Sequence, residues 1–366
     1  MPSRFLRLAL RVLPLGALLM IAACTQDSDP SGPAGPGPNA APASLTIVGA
    51  AEGQVGAAAP LQAVVRAANG DTLSVPVSWS SSDTARVRVS AGGVVTPARI
   101  ASVRIIASAG AARDTLSFTS RLAPFTFVFA DTVPEPERDL VRDAIQDAHA
   151  FQRMAFEKTL ADSITISGTY SASGCAQGGA AAFASGRSIT FCLGNPGWKN
   201  HGPGIRQKIV HHELFHLWQF AHWSADPAKS PAWLLEGAAE LIGFYGIANR
   251  GRVKMDVALG CQVKESSDFA TRQPPGLPPL QNVEAKQAFQ STQGPLYTHS
   301  MLGAHYLVEE GDGIAALEIY GNAVKTNATW QAAFQQAFKI TPAAFYGAFP
   351  GYVSGLAVPA AYDCRF

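Results

Sequence analysis

The chain has 366 residues, 47% of them hydrophobic and 15% charged, a balance that supports packed cores and excludes general disorder. With 28 basic against 27 acidic residues the formal net charge is +1, so there is no electrostatic case for a nucleic-acid partner. The length accommodates two domains.

Residues 1–23 read as a leader rather than as structure. Arg4, Arg7 and Arg11 form a positive start, and the apolar stretch 12–23 is too short to span a bilayer. The stretch closes on Leu19-Met20-Ile21-Ala22-Ala23-Cys24. Small residues before a cysteine resemble the lipobox of bacterial lipoproteins. That resemblance implies lipidation of Cys24 and an exported protein anchored to the cell envelope, with the outer membrane as its expected address. The alternative is an ordinary signal peptide with an incidental Cys24. Residues 24–43, rich in Pro, Gly, Ala and Ser, read as a flexible tether.

From residue 44 to 121 short β-rich runs recur, at 45–48, 61–66, 75–80, 86–89, 103–108 and 114–119. Turn signals such as Asn69-Gly70-Asp71 and Ala91-Gly92-Gly93 separate them, the pattern of a small β-sandwich. Val77-Ser78-Trp79-Ser80-Ser81-Ser82-Asp83 and Gly92-Gly93-Val94-Val95-Thr96 resemble the bacterial immunoglobulin-like domain of the intimin/invasin type. The expectation is therefore an all-β immunoglobulin-like sandwich with Trp79 in its core.

Residues 122–366 change to an α+β pattern. Strands are expected at 124–130, 163–167 and 188–193, and helices at 135–160, 205–220, 232–245, 296–310, 314–322, 329–338 and 342–352. A Pro-rich excursion, 273–280, reads as exposed. No internal repeat and no nucleotide-binding glycine motif is present. Besides Cys24 there are four cysteines, an even number that suits two disulfides in an exported protein. Three pairings are possible and sequence does not choose among them. Cys175–Cys192 with Cys261–Cys364 is favoured, because the first pair closes a short loop before the helix expected at 205–220. None has the CxxC spacing of a zinc site.

The chemistry concentrates in His212-Glu213-Leu214-Phe215-His216. Residues four apart share a helix face, so His212 and His216 can present two imidazoles to one metal ion. Glu213 lies beside the metal, placed to take a proton from a water that the metal polarises. A catalytic zinc has three protein ligands and an open position, and Glu236 on the next helix is placed to supply the third.

The segment Trp233-Leu234-Leu235-Glu236-Gly237-Ala238-Ala239-Glu240 resembles the gluzincin branch of zinc metallopeptidases, those grouped with the leukotriene-hydrolase and aminopeptidase family. The resemblance implies a zincin-like metallopeptidase domain with Zn2+ on His212, His216 and Glu236. Glu240, one turn further, would orient a ligand imidazole, the alternative being a solvated helix position. In that family a tyrosine opens a later helix and steadies the oxyanion. Pro295-Leu296-Tyr297-Thr298-His299-Ser300 stands in the corresponding place, making Tyr297 the candidate, with His299 and His305 behind it.

One rival ligand is His222, six residues after His216, the metzincin spacing. That geometry needs a helix break at Gly, where this chain has Gln219, and six further helical residues at about 100° each turn His222 away. The chain also lacks the family's upstream Gly-x-Met-Glu-Asn motif. No Asp or Glu lies between Asp162 and Glu213, so the amine anchor of an exopeptidase is missing and internal cleavage is expected. Residues 186–193 are expected to form the edge strand along which a peptide lies.

The expected function is zinc-dependent hydrolysis of peptide or protein substrates at the cell envelope. Two other classes remain open: a surface adhesin with a vestigial metal site, and a zinc hydrolase of non-peptide substrates.

Overall fold

The computed structural model describes residues 41–158, 160, 163–171, 175, 180–224, 229–272, 276–291, 296–326, 328–356 and 364. The leader, Cys24, most of the tether, Pro295 and residues 273–275 of the Pro-rich excursion lie outside the described residues.

Residues 44–121 carry ten strands: β1 (Ser44–Val48), β2 (Glu52–Gln54), β3 (Ala59–Pro60), β4 (Gln62–Arg66), β5 (Thr72–Leu73), β6 (Ser78–Ser81), β7 (Val87–Val89), β8 (Val94–Pro97), β9 (Ala101–Ala109) and β10 (Ala112–Arg121). They do not form the expected immunoglobulin-like sandwich. They divide among three small sheets, ordered β1-β4-β5, β2-β10-β9-β6 and β3-β8-β7, with β2 joining β10 in parallel. The physical reason is strand length. Apart from β9 and β10, which pair with each other along nine positions, the strands have two to five residues and offer only a few ladder hydrogen bonds each, so they pair locally rather than extending two large faces. Trp79 is half-buried and bridges two small apolar clusters instead of anchoring one core.

This part contacts the one that follows it. Arg86 donates twice to Asp143 at 2.9 Å, Arg99 reaches Asp147 at 2.7 Å, and Gln146 hydrogen-bonds the backbone of Ala98 and Ile100. All three partners sit on the first helix of the following part.

That part contains β11 (Phe125–Phe129), α1 (Glu135–Phe156), β12 (Ile164–Thr169), β13 (Ala182–Ser185), β14 (Ser188–Cys192), α2 (Pro196–Lys199), α3 (Pro203–His222), α4 (Ala232–Asn249) and α5 (Met255–Arg272). A 3-10 turn at Leu280–Val283 leads to α6 (Lys286–Ser291), α7 (Leu296–Glu310), α8 (Ala315–Lys325), α9 (Trp330–Phe338) and α10 (Pro342–Gly355). The expected α+β arrangement is corrected too. β11, β12 and β14 are parallel neighbours and α1 is the crossover between the first two, while β13 runs antiparallel on β14. The described residues thus form a mixed α/β protein with four small sheets and ten helices. None of those helices is long and apolar enough to cross a membrane.

Proline punctuates the helices that matter for the site. Pro203 opens α3 in its first turn, and Pro231 sits at the N-cap of α4 in extended conformation. Both helices are apolar around most of their circumference, because α3 lies against the sheet, α1 and α4, and α4 lies against α3 and α7. Gly237 makes the α4–α7 approach possible. A Cβ there would overlap the Ser300 carbonyl of α7, so the glycine after Glu236 sets how closely α7 can lie. Disulfides join Cys175 to Cys192 and Cys261 to Cys364, with Cα separations of 5.8 and 5.7 Å, the pairing favoured above.

Candidate metal centre

Helix α3 runs unbroken through the HExxH segment, so His212 and His216 fall on one face with ring centroids 4.6 Å apart. Helix α4 brings Glu236 to the same point. His212 Nε2 and His216 Nε2 are 3.0 Å apart, and Glu236 Oε2 lies 3.2 Å from the second and 3.5 Å from the first. The three ligand atoms lie within 4.8 Å of one another, a group that could hold a metal ion.

The surroundings turn both rings to suit. His216 Nδ1 lies 2.7 Å from Gln219 Oε1, and Gln219 Nε2 donates to the Leu235 carbonyl at 3.0 Å. A proton on Nδ1 held by Gln219 leaves the Nε2 lone pair free for a metal. The same amide ties α3 to the residue before Glu236. On the other ring, His212 Nδ1 is buried without a hydrogen bond and faces Glu240 Oε1 at 3.6 Å, while Glu240 Oε2 takes a 2.6 Å hydrogen bond from Lys208 Nζ.

These charges shape one another. Burial opposes the His216 imidazolium, but Glu236 overrides it and holds the group up to about 9. Burial likewise works to raise Glu236, and His216 with His212 brings it well below the usual carboxylate range. Two imidazole nitrogens and a carboxylate oxygen are the donor set of a zinc centre with room for a further ligand, so these residues fit that metal.

Glu213 contributes no atom to the ligand group. It is 7% exposed, and burial, followed by the opposing pull of His212 and His216 and the push of Glu236 and Glu240, leaves its carboxyl raised. It opens on the same cleft of 440 Å³ as His212, His216 and Glu236. Phe220, Phe289 and Tyr297 line that cleft, together with β13. No protein-family model matches this chain, and no curated protein matches it. The geometry of the site carries the reading.

Tyr297 opens α7 beside the centre, with its ring 6.2 Å from that of His212 and edge-on to Phe289 at 5.3 Å. Desolvation and then the carboxylates of Glu236, Glu240 and Glu213 push its phenol above the ordinary value, so it keeps its proton. His299 and His305, weighed for the same role, point elsewhere. His299 packs against Phe349, and His305 Nδ1 lies 2.6 Å from the Tyr352 hydroxyl. His222 is also outside the group. It turns onto Trp218 with centroids 4.9 Å apart, because α3 continues to residue 222.

The expected edge strand needs correction. β14 covers Ser188–Cys192 but is interior, flanked by β12 and β13. The edge next to α3 is β13, for which no strand was expected, since small residues give little strand propensity and pairing with β14 alone sets its conformation. Sequence reading also passed over Gln219 as a helix former and left Lys208 unread. The signal for both is positional: Lys208 lies four residues before His212 and Gln219 three after His216, on the faces of α3 that α4 covers.

Proposed function

We propose that the chain is a zinc-dependent peptidase that cleaves internal bonds. The observation that carries the reading is the convergence of His212, His216 and Glu236 in a cleft that a buried Glu213 shares without joining the ligand group. When bound there, zinc would supply positive charge that polarises a substrate carbonyl and acidifies a neighbouring water.

The remaining chemistry belongs to the chain. Glu213, with its pKa raised by burial, takes the proton from the attacking water and delivers it to the leaving amine. Tyr297 stays protonated and donates to the carbonyl oxygen as negative charge develops. Gln219 holds the His216 imidazole by a hydrogen bond, and the Glu240 carboxylate, 3.6 Å from His212 Nδ1, sets the charge beside the other ring. β13 borders the cleft with one edge free of strand partners among the described residues, so an extended substrate can add to it by backbone hydrogen bonds. Internal cleavage follows from the lack of any acidic residue between Asp162 and Glu213. Two disulfides support an oxidising compartment, and we place the protein at the cell envelope, held through a lipid on Cys24.

The test incubates the purified protein with amino-blocked peptides, with and without chelator. Internal cleavage is expected, abolished by chelation and restored by zinc. Glu213→Gln should retain zinc and lose turnover. Substantial activity in that variant, or only stepwise N-terminal trimming by the wild type, would overturn the reading.

A further inference from the structure

Tyr297 stands between two cavities. One is the metal cleft. The other, of 590 Å³, lies on the Glu240 side of His212, and Tyr297 lines both. Most charged side chains around them neutralise each other: Lys208 pairs with Glu240 at 2.6 Å and Lys264 with Asp268 at 2.7 Å. Glu213 and Glu236 serve the centre.

Two exposed charges remain outside any ion pair among the described residues. Glu265 lines the second cavity with His201, on which its charge acts, and takes a hydrogen bond from the Thr298 hydroxyl at 3.1 Å. Lys286 lines the metal cleft, one helical turn before Phe289. Each is one neighbour removed from Tyr297. Thr298 is the next residue in the chain, and Phe289 meets the Tyr297 ring at 5.3 Å. Of the two cavities that share Tyr297, one therefore holds an exposed anion and the other an exposed cation.

We infer that the two cavities form one substrate groove read by charge, in which Glu265 receives a basic residue of the peptide and Lys286 an acidic one. The inference rests on the peptidase reading and names its substrate class: peptides with opposite charges on the two sides of the cleaved bond. Such a pair of contacts also orients the chain. A peptide running the wrong way would set like charges against each other, an unfavourable arrangement that attractive contacts alone do not provide. The backbone, held along β13, contributes affinity without preference, and the two charges supply the direction.

The test uses peptides blocked at both ends, with Lys on one side of the cleaved bond and Asp on the other, in both orders, and with Gln replacing either. Products are read by mass spectrometry. One order should be preferred, and each Gln replacement should lower kcat/KM by about fivefold, as befits an exposed ion pair of up to about 1 kcal/mol. The preference should shrink as salt is raised. Glu265→Gln should remove the discrimination at the basic position alone, and Lys286→Gln that at the acidic position alone. The double variant Glu265→Lys with Lys286→Glu should prefer the opposite order. Both side chains are exposed, and zinc content with the thermal midpoint checks that each variant is folded. Cleavage with no charge preference, or a preference unchanged in the double variant, overturns the groove while leaving the peptidase reading intact. Cleavage of no peptide by the zinc-loaded wild type overturns both.

Discussion

The strand-rich region and the helical region bury their side chains in different ways. Residues 44–121 build two small clusters, one around Val87, Ile105 and Phe118 and one around Leu45, Val65 and Ala107. From Phe125 onward a single continuous core runs through the sheet and nearly every helix, and it contains Trp198, Trp218, Trp223 and Trp233, all fully buried. Depth decides what each region can hold. In the helical region His211, His212, Glu213, Gln219 and Glu240 are all buried, whereas Ser120 is the buried polar side chain of the strand region. Taking a charge or an amide out of water is costly unless partners are pre-positioned. Two packed helices supply such partners, and short strands at a surface do not. The candidate centre lies within the helical region, between α3 and α4, for that reason.

The sharpest way to break the comparison is to remove the ligand that α4 contributes. Glu236→Ala should lose stoichiometric zinc in metal analysis, whereas His222→Ala should retain it. The reverse result would place the third ligand on α3 itself and deprive α4 of its role.

Next in size is Tyr297→Phe. Loss of a single oxyanion donor should lower kcat by about a hundred- to a thousandfold with KM and zinc content nearly unchanged. A near-silent change would mean that the ring only packs against Phe289.

A smaller effect is expected one shell out. Gln219→Met preserves volume but removes the contact to His216 Nδ1 and the bond to the Leu235 carbonyl. Zinc affinity, measured by chelator competition, should fall about 10- to 100-fold. Unaltered affinity would show that core packing alone orients the ring.

The last prediction concerns acid. All eight histidines lie beyond residue 122, so their titration acts on the helical region alone. Burial pushes His149 and His299 each down to about 4, from an ordinary value of 6.5. Between those values the unfolded chain binds more protons than the folded one. Stability from these groups is therefore complete above about pH 6.5 and is lost as pH falls towards 4, by at most about 1.4 kcal/mol per unit for each group. Urea midpoints at pH 7 and 4.5 should show the loss, and His299→Asn should reduce it. An equal pH slope in that variant would assign the acid sensitivity elsewhere.

Some of the site was legible because it is local. The i, i+4 repeat places His212 and His216 on one face wherever a helix forms, and Leu296–Glu310 is helical over the bounds read from sequence. The start of α4 at Ala232 also agrees with the sequence reading, whereas α3 begins at Pro203, two residues before the expected start. Other parts were not legible. α5 carries a mixed polar sequence with a weak apolar face and was left unread, yet it supplies Glu265 and Cys261. β13 is built from small residues that favour no conformation until β14 pairs with them. The strand region shows the same limit: its turn residues announced most of the strands, but nothing within a three-residue strand says which neighbour it will take.

By itself, then, the sequence determined the register of the helix that carries both histidines, the bounds of the helix 296–310, and the donor types available to a metal. Each of these depends on residues within a few positions of one another, where backbone geometry leaves little choice. Only the tertiary structure decided that α4 carries Glu236 to within 3.2 Å of His216, that Gln219 holds the second imidazole, and that three small sheets replace a sandwich. It alone brought Glu265 and Lys286 into two cavities that share Tyr297. Those arrangements join residues far apart in the chain. Their free energy lies in helix faces and strand edges that acquire partners only when the whole core closes.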